Sequence, residues 1–137
     1  GTDGNKIFCK VEGMIACAKK ALANGITVGL GTDTACPFVT HYDMWRELVY
    51  FKKFVGVSNA FALHTATQVN AKIAGIENET GSVEVGKSAD FLITDASPLD
   101  DLTALRTPYM VVMKGKTIKQ PKVKKFDYVE TELDKLL

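Results

Sequence analysis

The chain has 137 residues, with 17 lysines and arginines against 16 aspartates and glutamates, a formal net charge of +1. That balance leaves no electrostatic footprint for nucleic acid, and 46% hydrophobic with 24% charged residues is the composition of a folded globular chain. A complete eight-unit β/α barrel needs about 250 residues, so the length excludes a whole barrel and admits one compact domain or a piece of a larger one.

No apolar run approaches the roughly 20 residues of a membrane-spanning helix, so no membrane partner is expected. The opening Gly1-Thr2-Asp3-Gly4-Asn5-Lys6 lacks a basic segment leading into an apolar one, and no secretory leader is expected. Cys9, Cys17 and Cys36 are odd in number and without CxxC spacing. They argue against a disulfide framework and for a reducing, cytoplasmic location.

Taken in chain order, Val11, Met14, Ile15, Ala18 and Leu22 recur at helical spacing from about Lys10, and Asn24-Gly25 supplies a left-handed stop. Ile26-Thr27-Val28-Gly29-Leu30 is apolar on both parities, the pattern of a parallel strand covered on both faces. A loop through Pro37 leads to a second helix from about Tyr42 to Val55, with Met44, Leu48, Phe51 and Val55 on its inner face. Ser58 stands where an N-cap would precede a third helix carrying Phe61, Ala62 and Leu63, and Thr67 reads as a further cap to a short helix ended by Gly75.

Near Glu77 to Thr80 the texture changes to short β elements. Val83 and Val85 alternate with Ser82 and Glu84, and Phe91-Leu92-Ile93 reads as a short buried strand. Ser97-Pro98 predicts a capped helix over Leu99 to Leu105, and Lys114-Gly115-Lys116 between Tyr109–Met113 and Thr117-Ile118 predicts a hairpin. Beyond Gln120 the sequence reads as a solvated strand or helix end. The division expected is 1–76, 77–120 and a tail at 121–137.

Candidate chemistry concentrates at Val28-Gly29-Leu30-Gly31-Thr32-Asp33. A buried strand that delivers a carboxylate at its carboxyl end places it where α/β sheets and barrels build active sites. Asp33 there could ligate a divalent metal or take a proton from bound water; the same residues also spell a turn in which Asp caps the next segment. His41, eight residues on, could return to the same rim as a contact to substrate or metal, or serve as a structural helix-start histidine. Asp33, Cys36 and His41 offer zinc-compatible atoms, at a spacing that matches no structural zinc pattern. His64 reads as a surface or half-buried helix residue, and no phosphate-cradling glycine motif is present.

Four stretches together resemble the carboxy-terminal part of the metal-dependent amidohydrolase superfamily, in particular its imidazolonepropionase-like and Xaa-Pro-dipeptidase-like members. They are Val28 to Asp33; Ala62 to Thr67 with Asn70-Ala71; Thr80-Gly81-Ser82-Val83-Glu84-Val85-Gly86-Lys87-Ser88-Ala89-Asp90-Phe91, close to that family's Gly-x-Ile-x-x-Gly-Lys-x-Ala-Asp-Leu; and Asp95 to Leu102 followed by Val111 to Lys116. The resemblance implies an α/β fold made of the last β/α units of a TIM barrel plus a small β-sandwich portion, with the barrel incomplete in this chain.

It further implies hydrolysis of carbon–nitrogen bonds in amides, cyclic amides or dipeptides, with Asp33 as metal ligand and proton acceptor and His41 as a substrate contact. A divalent metal, zinc first, is the implied cofactor, and a small amide-type molecule the implied substrate. His41 and His64 are the only histidines, and neither matches the family's other metal ligands. A fragment inactive alone is therefore expected, the alternative being a non-catalytic α/β module that binds itself or a partner. Strands without neighbours favour self-association, so a homo-oligomer is expected.

Overall fold

A computed structural model describes residues 3–36 and 39–137, with side chains from Lys10 onward. Pro37, within the expected loop, and the side chain of Cys9 lie outside the described residues. Helix α1 (Asp3–Ala23) ends where Asn24-Gly25 requires, Gly25 taking a φ of 71°. Helix α2 (Met44–Tyr50) passes without a break into a π-helical turn over Phe51–Val55 and stops at Gly56, whose φ is 91°.

Helix α3 (Asn59–His64) starts as expected, the Ser58 hydroxyl accepting from Phe61 N at 3.1 Å. Thr67 is not a cap. A π-helical turn over Thr65–Val69 joins α3 to α4 (Asn70–Ala74), and the Thr65 and Thr67 hydroxyls donate back to the carbonyls of Phe61 and Leu63 at 2.8 and 2.7 Å. Hydroxyls bonded four residues back compete with the backbone ladder, which accounts for the widened turn.

The core lies where these helices meet. Leu48, Phe51, Ala62 and Leu102 are its buried centre, with Leu22, Val28, Leu30, Met44 and Leu105 packed around it. Leu102 comes from a 3₁₀ turn over Leu102–Arg106, which is capped by Asp101 rather than Ser97; the Asp101 carboxylate accepts from Thr103 N at 2.9 Å. Ser97 O instead accepts from the amides of Asp100 and Asp101 in a preceding turn.

The sheet is antiparallel and ordered β1 (Phe91–Ile93), β2 (Met110–Met113), β3 (Lys116–Lys119), with Val111 opposite both Leu92 and Ile118. Its hairpin turns at Lys114-Gly115, with φ of 49° and 77°, the pair of positive values that a two-residue turn between twisted strands needs. Asp90 ties the hairpin tip to the preceding loop. Its carboxylate accepts from Lys114 N at 2.8 Å and from the Thr80 hydroxyl at 3.2 Å, while Gly115 N donates to Ala89 O at 3.0 Å. The bond from Lys114 N, then those from the side chains around it, holds the Asp90 carboxyl below its ordinary value.

Three expectations of β structure fail in whole or in part. Ile26 to Leu30 joins no ladder among the described residues, and Ile26 is 59% exposed. Val83 and Val85 lie in a loop at 80% and 108%, and β1 is exposed along its length. An apolar strand pattern forms a buried strand only where neighbours supply both the ladder and the cover: Ile26 to Leu30 has partial cover through Val28 and Leu30 but no ladder, β1 has a ladder with β2 but no cover, and Val83 to Val85 has neither among the described residues. The fold is thus a mixed α/β arrangement with a small antiparallel sheet and no closed barrel among the described residues.

The tail is likewise not a solvated end. Helix α5 (Asp127–Asp134) carries Glu130, 8% exposed, into contact with α2. The cause is electrostatic, since Glu130 meets Arg46 and Arg106.

Candidate functional site

Asp33 follows a segment whose Val28 and Leu30 pack on the core and whose backbone at Leu30 is held by one side chain. The Asn70 amide accepts from Leu30 N at 3.0 Å and donates to Leu30 O at 2.8 Å, as a neighbouring strand would. This approach needs the glycine before it, because a Cβ on Gly29 would stand 2.8 Å from both Asn70 Oδ1 and Ile73 Cδ1. Beyond Leu30 the chain turns sharply. Asp33 and Ala35 take φ of 53° and 97°, and the Thr32 and Thr34 hydroxyls share a hydrogen bond at 2.6 Å.

Asp33 is exposed, and its carboxylate accepts from Cys36 Sγ at 3.4 Å. That hydrogen bond, with the carboxylate's charge, pushes the Cys36 thiol above its ordinary value. Cys36 is therefore a protonated donor to Asp33 near neutral pH rather than a thiolate ligand. The left-handed φ is one that Asp tolerates better than most residues; Ala35 has no such tolerance, and strain of this kind persists only where surrounding structure imposes it.

His41 is exposed, its ring meets that of Tyr42 edge-on at 5.2 Å, and with Tyr42 and Trp45 it lines an open groove of about 1730 Å³ between the helices and the sheet. Asp33 is not among the groove's lining residues. A site for one small molecule typically encloses about 300–1,000 Å³, so this groove is a face left open rather than a finished pocket. His64 is exposed on α3 and lines a smaller, polar recess with Lys72 and Lys87.

Metal binding by this chain alone is not supported. Among the described residues no three His, Cys, Asp or Glu side chains stand together in a way that could hold a metal ion. A catalytic metal needs about three protein ligands around an open position, and Asp33 supplies one carboxylate. The mixed set of Asp33, Cys36 and His41 does not assemble.

The most heavily engaged polar side chains are ones that sequence reading gave no role. Arg46 is 2% exposed; its Nη2 lies 3.2 Å from Glu130 Oε2 and 2.8 Å from Asp134 Oδ1, and its Nε 3.4 Å from Asp43 Oδ1. Arg106 Nη2 reaches Glu130 at 3.1 Å and Asp134 at 2.9 Å. Trp45 takes the Arg46 and Arg106 guanidiniums over its ring at 4.5 and 5.2 Å and donates from Nε1 to Asp43 at 3.2 Å. Burial pushes the Asp134 carboxyl up, but hydrogen bonds from Arg106 and Arg46 outweigh it and leave the group below its ordinary value. The local signal was the four-residue spacing of Glu130 and Asp134, which puts two carboxylates on one helix face.

The sequence matches the amidohydrolase family over residues 8–118. Among solved structures, a candidate prolidase from Bifidobacterium longum superposes with a TM-score of 0.86 at 47% identity, covering 89% of this chain and 30% of that one. A Xaa-Pro dipeptidase with methionine bound in its active site superposes at 0.70 with 30% identity, covering 77% and 25%. Curated relatives include a 5-methylthioadenosine/S-adenosylhomocysteine deaminase of Teredinibacter turnerae, 35% identical over 62% of this chain and 21% of its own length. An imidazolonepropionase of Symbiobacterium thermophilum is 36% identical over 63% and 20%. The chain spans about a fifth of the length of these curated relatives. No helix among the described residues is long and apolar enough to cross a membrane. The family's extent on the sequence takes in the Asp33 turn, the Asn70 clamp and the Asp90-tied hairpin alike, and this chain belongs to the amidohydrolase family.

Proposed function

We propose that the chain is the carboxy-terminal part of an amidohydrolase that hydrolyses carbon–nitrogen bonds of small substrates, with Xaa-Pro dipeptides as the substrate class. Residues 1–76 are its terminal barrel units, 77–120 its β-sandwich portion and 121–137 a tail. The observation that carries the reading is the likeness, at 47% identity, to a candidate prolidase, with the Xaa-Pro dipeptidase as second support. In this reading Asp33 accepts a proton from the attacking water and returns it to the departing nitrogen, a task that asks for an accessible carboxylate on a rigid support. The Asn70 clamp and the exposure of Asp33 support that role. His41 contacts substrate from the groove side.

The divalent metal of the family, zinc first, needs at least two ligands from outside the described residues. The isolated chain is accordingly inactive. The test is a chimera in which residues 8–137 replace the matching segment of the Bifidobacterium longum protein, assayed on Xaa-Pro dipeptides and on 5-methylthioadenosine. Dipeptide hydrolysis is expected, falling about 10²–10⁴-fold in Asp33→Asn, the usual range for a lost acid–base group. A chimera in which Asp33→Asn keeps full activity refutes the role, and one that releases ammonia from the nucleoside alone refutes the substrate class.

A second reading, a self-associating module, is favoured by the apolar side chains left on the surface, among them Met14 at 71%, Ile73 at 57% and Leu92 at 50% exposed. It predicts a homo-oligomer, and sedimentation as a stable monomer at high micromolar concentration overturns it.

A further inference from the structure

Helix α5 lies beyond the residues that match the family, yet it reaches the turn that carries His41 by two separate routes. The first is ionic. Glu130 Oε2 holds Arg46 Nη2 at 3.2 Å, and Arg46 Nε faces Asp43 Oδ1 at 3.4 Å. Asp43 in turn closes the turn on itself, accepting from the Thr40 hydroxyl at 2.5 Å and from Trp45 Nε1 at 3.2 Å, while its amide donates to Thr40 O at 3.3 Å. The second route runs through the strap leading into α5. Phe126 N donates to the Tyr42 hydroxyl at 3.0 Å, and Lys125 Nζ lies 5.8 Å from the centre of the Tyr42 ring. Tyr42 is the ring against which His41 rests.

We propose that Glu130 is a positioning residue that fixes the 40–43 turn, and with it the orientation of His41 toward the groove, acting through Arg46 and Asp43. A helix held only for stability would need no link to this turn, and α5 already has other anchors. The Tyr50 hydroxyl donates to Leu133 O at 3.4 Å and Lys53 Nζ to Leu136 O and Leu137 O at 2.9 Å each. Both carboxylates facing Arg46 from α5, Glu130 and Asp134, also bind Arg106, whose guanidinium likewise lies over the Trp45 ring at 5.2 Å. The turn is thereby set by the indole as well as by the ion pairs. The functional weight of this placement rests on the reading of His41 as a substrate contact, whereas the placement itself does not.

The test compares Glu130→Gln with the unmodified full chain by NMR, following the ring resonances of His41 and the Trp45 indole N–H, with His64 as the internal reference because it is the only other histidine. The proposal predicts shifted His41 and Trp45 signals with His64 unmoved. A folded Glu130→Gln with His41 and Trp45 unmoved overturns it. Should Glu130→Gln fail to fold, Glu130→Asp decides, since it keeps the charge but withdraws it from Arg46: a shifted His41 ring with His64 unmoved supports the proposal and an unmoved one overturns it. In the chimera, Glu130→Gln raises KM for the dipeptide with kcat retained. Shifted His41 signals with KM unchanged uphold the positioning and refute the assignment of His41 to substrate.

Discussion

Replacing Asn70 by alanine removes both partners of the Leu30 backbone at one stroke. The wild-type side chain satisfies Leu30 N at 3.0 Å and Leu30 O at 2.8 Å, and a net hydrogen bond of this kind contributes about 1 kcal/mol. Leu30 is half-buried, so water replaces part of what is lost. The expected cost is about 1–2 kcal/mol, or about 4–8 °C in Tm for a chain of this size. Asn70→Asp separates the two bonds, because an ionised carboxylate still accepts from Leu30 N but cannot donate to Leu30 O. The assay is thermal unfolding together with amide hydrogen exchange at Leu30. Exchange should accelerate strongly in Asn70→Ala, and less in Asn70→Asp. Unchanged exchange at Leu30 in Asn70→Ala, or an Asn70→Asp protein as stable as the wild type, would refute the claim that one amide stands in for a missing strand.

Gly81→Ala should destabilise by about 1–3 kcal/mol through overpacking, since its Cβ would lie 2.5 Å from Ala71 Cβ and 3.1 Å from Thr67 O at a φ of +93°; Gly86→Ala, with the similar φ of +95° and nothing within 4 Å, should cost less, and chemical denaturation of the pair reads the difference. Arg46→Ala leaves the buried Glu130 and Asp43 carboxylates short of their counter-charge and should cost about 3 kcal/mol, more than Arg106→Ala, measured by urea unfolding. Asp134 sits below its ordinary value of 3.8 when folded, so its contribution is present above that value and is lost as pH falls through the lower folded one. Acid unfolding should therefore be shallower in Asp134→Asn, and equal slopes would count against the pairing.

Local signals were legible wherever the cause was local. Ser58 caps its helix, Gly25 and Gly75 end theirs in left-handed geometry, and Lys114-Gly115 turns the hairpin, because each outcome depends on residues within a few positions. Thr67 failed for a related reason: a threonine before a polar step reads as a cap, but here its hydroxyl found Leu63 O four residues back and the helix continued. The ion cluster was illegible because Arg46 and Glu130 are 84 residues apart and only the tertiary fold brings them to 3.2 Å. Asn70 was visible within a motif but without a role, since nothing in its own neighbourhood names Leu30, 40 residues away, as its partner. Of the proposed site, the sequence placed Asp33 after an apolar segment and His41 eight residues on; that His41 lines the groove and Asp33 is not among its lining residues follows only from the fold.

The failed expectations share a direction that carries information. Ile26, Val83, Val85 and Phe91 to Ile93 have the alternation or continuous apolarity that selection for burial produces, and each is exposed in this chain. Hydrophobic pattern reports the burial a sequence is suited to, and the structure reports the burial its own residues achieve. Three of the six, Val83, Phe91 and Leu92, line the same open groove as His41, together with Leu63 and Ala66, which pack against the core. The groove is thus a face left open beside the helical core, and His41 lines it next to the ion-paired turn, the placement that the proposed substrate contact requires.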